Sequence, residues 1–411
     1  MTFPIGISHA DAVAIVQRVG AEHRCEVERV ALREARGRVV ASDVVAPMDL
    51  PCFDNSAMDG YAMRSADLAR ASDAGLRLGG EQFAGAALPL QLAPGECVRI
   101  TTGAPLPNGA DTVVIRENTR LERDRLWIEP GSTQAGANLR RAGGDVRAGQ
   151  CVRRSGDTLT SAALGLLASL GLVDIHVARR PSVAVFTSGD ELKPAGSVLR
   201  PGEIHDSNRL LLQSLLAEEG IATLSWPALP DDAARIEAAL GDAAQAYDVI
   251  LTCGGVSAGE KDLLPGLLST RGRIHFWKVM MRPGMPVLFG QWGRALLLGL
   301  PGNPVSVLAS FRRLAVPLLD AMQGRCDRAP PLHACLRSAV SKAHTRLEFR
   351  RGQLACDADG QLWITPHPAT GSHQQRGAVE SNALLVLGET VRDLAIGTVV
   401  EVEPYGAILR A

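Results

Sequence analysis

Three glycine loops between residues 183 and 304 constrain this chain most, because each follows directly on a short apolar run. Val183-Ala184-Val185-Phe186 leads into Thr187-Ser188-Gly189-Asp190-Glu191, and Val249-Ile250-Leu251 leads into Thr252-Cys253-Gly254-Gly255-Val256-Ser257-Ala258-Gly259. Ala295-Leu296-Leu297-Leu298 leads into Gly299-Leu300-Pro301-Gly302-Asn303-Pro304-Val305-Ser306. Continuous apolar runs of this length read as strands buried on both faces of a parallel sheet. Ligands of open parallel sheets bind where loops leave the carboxyl ends of the strands, so all three loops are expected at one rim. Glycine lets backbone amides approach a ligand, and several such amides cradle an anion. The pattern predicts a site for a phosphorylated or oxyanionic small molecule.

The 411 residues suit about three domains at roughly 150 residues each. An apolar fraction of 46% supports a full core. The formal net charge of −1 gives no general pull toward nucleic acid or membrane, so an anion site must come from local arrangement. The eight cysteines form no C-x-x-C pair, which argues against a zinc ribbon and for reduced thiols in the cytoplasm. The start, Met1-Thr2-Phe3-Pro4-Ile5-Gly6, shows no signal-peptide pattern, and no apolar run approaches the ~20 residues that span a bilayer.

Ser8 is expected to cap a helix carrying Ala12, Ile15, Val16 and Val19 on one stripe, and a second helix should run from Thr160 to Gly171. Between them, residues 45–145 are rich in Gly, Pro and Asp, with short apolar runs at Cys97–Ile100 and Thr112–Ile115, as in a β-rich domain. Residues 180–326 read as α/β, with helices at Ser207–Glu219, Asp231–Ala244 and Val305–Met322. Pro317 should kink or end the last of these near Val316. Alternating short runs after residue 327 predict a small all-β domain ending at 411.

Several motifs admit two readings. Phe53–Ala62 packs Asp54, Asn55, Ser56 and Asp59 into one segment: a polar turn closed by Asp59-Gly60, or a loop offering carboxylates to a metal or a proton transfer. Thr101 and Thr102 end a strand with two hydroxyls, suited to oxyanion oxygens or simply to a strand end. Arg140-Arg141-Ala142-Gly143-Gly144-Asp145 is a guanidinium pair for an oxyanion or a solvated turn. Asp190-Glu191 lie at the expected rim, where acids bind Mg²⁺ or favour a helix start. Gly254–Asp262 is the strongest motif: an amide-rich loop with Ser257, with Lys261 for a phosphate and Asp262 for Mg²⁺ or a ring N–H, although it matches neither the P-loop nor the dinucleotide spacing. Lys278 and Arg282 are the cations best placed to balance a polyanion, and Leu300–Pro304 opens a helix whose N-terminus favours anions. His205 reads as structural, and no H-E-x-x-H or G-x-S-x-G motif occurs.

Taken together, Phe53–Ala62, Arg99–Pro107, Gly136–Asp145, Thr187–Leu192, Ile204–Arg209, Gly254–Asp262 and Leu300–Ser306 make the chain resemble the MoeA-type molybdopterin molybdenumtransferases, which include the E domain of gephyrin. The resemblance implies an elongated homodimer. Each subunit would hold a discontinuous N-terminal helical domain (1–44 and 146–179), a β-rich inserted domain (45–145), a central three-layer MogA-like α/β domain with a mostly parallel sheet (180–326), and a C-terminal β domain (327–411). It implies insertion of molybdate into adenylylated molybdopterin with release of AMP, assisted by Mg²⁺, in the cytoplasm. Further implied partners are the adenylyltransferase of the same pathway and molybdoenzyme apoproteins, with no nucleic acid and no membrane.

Carried over by position, the resemblance makes Asp59, Asp145, Glu191, Asp262 and Lys278 catalytic, and Glu191, Asp231 and Asp262 ligands of Mg²⁺. Thr102, Arg140, Ser188, Gly254, Gly255, Ser257, Arg282, Pro301 and Pro304 would bind the substrates. Asp59 and Thr102 would serve the partner's glycine loops, and Ser372 is a weaker site residue. The usual K-P-G-K-P appears here as Arg282-Pro283-Gly284-Met285-Pro286, so one cation is an arginine and another is missing. A molybdopterin adenylyltransferase and a non-catalytic scaffold that kept the fold are the competing readings.

Overall fold

The structure, a computed structural model, describes residues 3–85, 90–257, 259 and 262–410. Its centre is a seven-stranded sheet in the order Ile5–Ile7, Arg273–Val279, Leu288–Trp292, Ala295–Leu300, Val249–Cys253, Val183–Thr187, Thr223–Ser225. Val183–Thr187 pairs in parallel with both Thr223–Ser225 and Val249–Cys253, which pairs in parallel with Ala295–Leu300. Only Leu288–Trp292 runs antiparallel to its neighbours. Every residue of the strands at 183, 249 and 295 is buried, as their unbroken apolar runs require.

Successive side chains of one strand feed two different cores. Val183, Val185, Val249 and Leu251 pack with Leu212, Leu215 and Leu216 on one face, while Ala184, Phe186 and Ile250 pack with Ile236, Leu240, Leu264 and Leu268 on the other. Burying each such side chain contributes about 1.5–3 kcal/mol, so the strand ends that carry the loops are among the best-held points of the molecule.

Local signals set the helices. Ser8 accepts from the Asp11 amide and caps His9–Glu22; Thr160 caps Ser161–Ser169; Asp206 caps Ser207–Glu218; Asp232 caps Ala233–Ala246. Pro317 does not end its helix. Pro304–Ser310 continues through a π turn at Phe311–Ala315 into Val316–Gln323, and Gly324 closes it with φ 69°. The wider turn accommodates the proline ring and its missing N–H, so the expected break is absorbed.

Long-range pairing regroups the N-terminus. Ile5–Ile7 joins the central sheet through Trp277 and Val279, and His9–Glu22 buries Ala12, Val16 and Val19 in the core beneath it. This stretch therefore packs with the central unit, whereas the resemblance grouped it with 146–179. What does pack with 146–179 is 27–45: Val27–Ala31 pairs with Asp174–Ala178, Val44–Val45 pairs with Cys151–Arg153, and Leu32, Val40, Leu159, Leu167 and Val177 share a core.

The segment between carries a six-stranded sheet in the order Thr112–Ile115, Gly60–Met63, Glu96–Ile100, Leu76–Gln82, Arg125–Ile128, Thr119–Glu122. At the C-terminus, Leu347–Cys356, Leu362–Pro366, Leu332–Leu336, Val399–Pro404 and Ala383–Leu387 pair in sequence, and the last pairs back to the first, closing a small barrel. Closure removes exposed strand edges.

Candidate active site

The three glycine loops do meet at one rim. They border a cleft of about 300 Å³ at the carboxyl ends of the parallel strands, and Glu191, Asp231 and Asp262 line it beside Ser188, Ser257 and Pro301. Gly254, Gly255, Gly302 and Pro286 complete its wall. Backbone bonds stitch the loops together: Ser188 N–H donates to Cys253 O at 2.9 Å, and Gly254 N–H donates to Leu300 O at 3.0 Å. The indole of Trp277 donates to Val256 O at 2.8 Å and fixes the middle loop from the sheet side.

Two glycines are required, for different reasons. Gly189 has φ 141°, a conformation that residues with side chains rarely adopt, and a Cβ there would displace the Glu191 carboxylate. Gly254 has φ 94°, and a Cβ would lie 2.9 Å from Ser188 O. A side chain at Gly254 would push the second loop off the first.

Among the described residues, Glu191 has no cationic partner within ion-pair distance. Asp262 accepts from the Gly259 amide at 2.8 Å, which folds the second loop back on itself. No three His, Cys, Asp or Glu side chains converge as a metal cage among the described residues, so Glu191, Asp231 and Asp262 share a cleft without forming a closed ligand set. Lys261, expected to reach a phosphate, lies outside the described residues.

The remaining predicted residues lie elsewhere in this chain. Lys278 and Arg282 flank the segment leading to Pro286 rather than the cleft wall. Lys278 adopts φ 63°, unusual for a residue with a side chain, and its ammonium sits 4.6 Å from the Trp277 ring centroid. The Arg346 guanidinium approaches Met285 Sδ at 3.7 Å, where the usual pattern of the resembled family carries a lysine. Pro304 begins the helix after the third loop, and Val305 N–H donates to Ser372 O at 3.2 Å, joining the C-terminal domain to that helix.

Asp59 and Thr102 meet in the inserted domain, while Arg140 pairs with Asn55 and Asp145 N–H donates to Leu50 O at 3.0 Å. Asp59 Oδ1 accepts from Thr102 N–H at 2.7 Å and from its hydroxyl at 2.8 Å. These two bonds, then the fields of Arg116 and Arg99, hold the Asp59 carboxyl below the usual carboxylate range. Asp54 likewise accepts from Ala142 N–H at 2.8 Å and Arg141 at 2.6 Å, which lowers its pKa. Leu139–Arg140 pairs with Asn55–Ser56, so the segments singled out at 53–62, 99–107 and 136–145 do come together. Gly60 is not a turn glycine. It begins a strand, and a Cβ on it would overlap Val114 O, so close approach of two backbones explains it.

Sequence reasoning missed the residues under the loops. Asp206 Oδ2 accepts from Thr187 Oγ1 at 2.6 Å and from Arg209 Nε at 2.9 Å, and Asn208 Nδ2 donates to Gly302 O at 2.6 Å. The available signals were the polar run His205-Asp206-Ser207-Asn208 at a helix start and the place of Ile204–Arg209 among the segments that carry the resemblance. His205 itself is structural, its ring bonded to Ser197 O at 3.0 Å.

Fold and cleft define the class: a multidomain α/β protein with a glycine-lined cleft at the carboxyl ends of parallel strands. Comparison with known proteins narrows it. The MoeA N-terminal region (domain I and II) matches residues 7–171, a probable molybdopterin binding domain matches 184–321, and the MoeA C-terminal region (domain IV) matches 333–405. Molybdopterin molybdenumtransferase of Haemophilus influenzae is 36% identical over 93% of this chain and 95% of its own length. Molybdopterin molybdenumtransferase 2 of Mycobacterium tuberculosis is 39% identical over 94% of this chain and 97% of its own. The molybdopterin biosynthesis moeA protein of Pyrococcus horikoshii OT3 superposes with a TM-score of 0.83 at 27% identity, covering 97% of this chain and all of that one. The chain belongs to the molybdopterin molybdenumtransferase family, a family of transferases in molybdenum cofactor biosynthesis.

Proposed function

We propose that this chain inserts molybdenum from molybdate into adenylylated molybdopterin and releases AMP. The observation that carries this reading is the single cleft in which three glycine loops meet the carboxylates of Glu191, Asp231 and Asp262, in a chain of this family. Both reactants are anions, and holding them together requires fixed dipoles, hydroxyls and cations set before the reaction begins. Ser188 and Ser257 supply hydroxyls, Gly254 and Gly255 supply backbone approach, and Pro301 and Pro304 fix the third loop's geometry. Mg²⁺ suits the donor set, because it takes oxygen ligands, keeps several waters and needs only one or two carboxylates plus a ligand phosphate. Glu191, Asp231 and Asp262 would hold it, and when bound it offsets phosphoryl charge.

The protein acts as a homodimer in this reading. Asp59, Thr102, Arg140 and Asp145 complete the cleft of a second copy, with Lys278 and Arg282 balancing the polyanion from the flank. The setting is cytoplasmic, with the adenylyltransferase of the same pathway upstream and molybdoenzyme apoproteins downstream; no described helix is long and apolar enough to cross a membrane. Purified protein incubated with adenylylated molybdopterin tests the reading. AMP release that requires molybdate is the expected result, whereas turnover of ATP with free molybdopterin assigns adenylyl transfer instead. Binding without any release assigns a scaffold.

A further inference from the structure

The first and third glycine loops leave strands that flank Val249–Cys253, so they stand two strand spacings apart, about 9–10 Å. The start of helix Ser207–Glu218 reaches both. Asp206 binds Thr187 Oγ1 at 2.6 Å, one residue before cleft-lining Ser188, and Arg209 Nη2 donates to the same hydroxyl at 2.8 Å. Asn208 Nδ2 donates to the carbonyl of cleft-lining Gly302 at 2.6 Å. The other end of the Asn208 amide, Oδ1, is buried with no hydrogen-bond partner among the described residues. Leaving a buried acceptor unpaired costs about 1–3 kcal/mol, so the donor end has to justify the side chain.

We infer that Asn208 is a positioning residue: its amide holds the Gly302 carbonyl so that this oxygen is not presented to the anion bound in the cleft. The peptide is a rigid unit, so fixing the carbonyl also fixes the Asn303 N–H on the opposite side. A released peptide would be free to turn a lone pair toward a phosphate, and the carboxamide ties the third loop to the same helix start whose Asp206 and Arg209 hold the first. The inference rests on the cleft's being the anion site assigned above.

The test compares wild type with Asn208→Ala and with Asn208→Asp, which keeps the shape but loses the donor. AMP binding is measured by calorimetry, molybdate-dependent AMP release by steady-state kinetics, and amide exchange by mass spectrometry across 300–306. Both variants are expected to weaken AMP binding about tenfold or more, to raise KM for adenylylated molybdopterin accordingly, and to speed exchange at 300–306 while exchange elsewhere is unchanged. A purely space-filling role predicts that Asn208→Asp matches wild type, which overturns the inference. So does AMP binding within about twofold of wild type in Asn208→Ala, unchanged exchange at 300–306, or a wild type that does not bind AMP. A wild type that binds AMP but shows no molybdate-dependent release sinks the proposed reaction alone, and the binding and exchange comparison still decides the role of Asn208.

Discussion

The central cleft and the loop cluster of the inserted domain hold the same residue types in different hydrogen-bonding states. In the inserted domain the carboxylates already have close partners: Asp59 is bonded twice to Thr102, and Asp54 bridges to Arg141 and Ala142 N–H. In the cleft, Glu191 has no cationic partner among the described residues and lies against a glycine that leaves it room. The cleft also stands on strands buried on both faces, while the cluster stands on exposed loops above a smaller core. Asp54 and Asp59 therefore differ from Glu191 in what already occupies their lone pairs.

The largest expected effect separates the two regions directly. Glu191→Ala should lower molybdate-dependent AMP release by about 10²–10⁴-fold, the range for losing a group that acts at the reacting atoms, with little change in thermal unfolding. Equal losses of activity and of melting temperature would make Glu191 an architectural acid.

Asp59→Ala should also lower turnover by orders of magnitude while leaving the fold largely intact, and mixing shows where it acts. If Asp59 serves a second copy, co-assembly of Asp59→Ala with Glu191→Ala chains regenerates about a quarter of the wild-type sites, since a two-fold pair shares its residues reciprocally. No recovery on mixing would place both residues in one chain's own site.

Gly189→Ala should cost about 1–3 kcal/mol through its backbone conformation, measured by urea unfolding, and should reduce activity further by displacing Glu191. Activity that falls only as far as the folded fraction falls would count against that coupling.

The smallest effect is in pH dependence. Burial, then Arg313, lowers the His9 pKa to about 4 from 6.5. The unfolded chain therefore binds the extra proton first, and the central core should lose stability as pH falls from about 6.5 to about 4. His9→Phe should flatten that slope in denaturant titrations. The inserted domain depends instead on Asp54 and Asp59, whose carboxyls are held below the usual carboxylate range when folded, first by the hydrogen bonds from Ala142 N–H and from Thr102 N–H. Their contribution is present above that range and is lost only as pH falls through and below it. A single unfolding transition with one pH slope would show that the two regions do not unfold independently.

Much of the cleft was legible before any coordinates. Buried runs at 183, 249 and 295, each followed by glycine, specify parallel strands with loops at one end, because only a doubly covered strand tolerates such unbroken apolarity. Capping by Ser8 was equally local, and so was the α/β and β division of the chain. Pro317 misled because the compensating π turn lies upstream and has no composition of its own. Gly60 misled because the backbone it meets, at Val114, is 54 residues away along the chain.

The sequence by itself determined the chemistry available: which loops carry glycine, which acids and hydroxyls travel with them, and which strands are too apolar to face water. Tertiary structure alone decided the company those groups keep. It put Ile5–Ile7 into the central sheet, placed Asn208 on Gly302, and bonded Asp59 to Thr102. The physical reason is range. Propensity and periodicity act over a few residues, whereas register and loop-to-loop hydrogen bonds are fixed by packing between segments far apart along the chain.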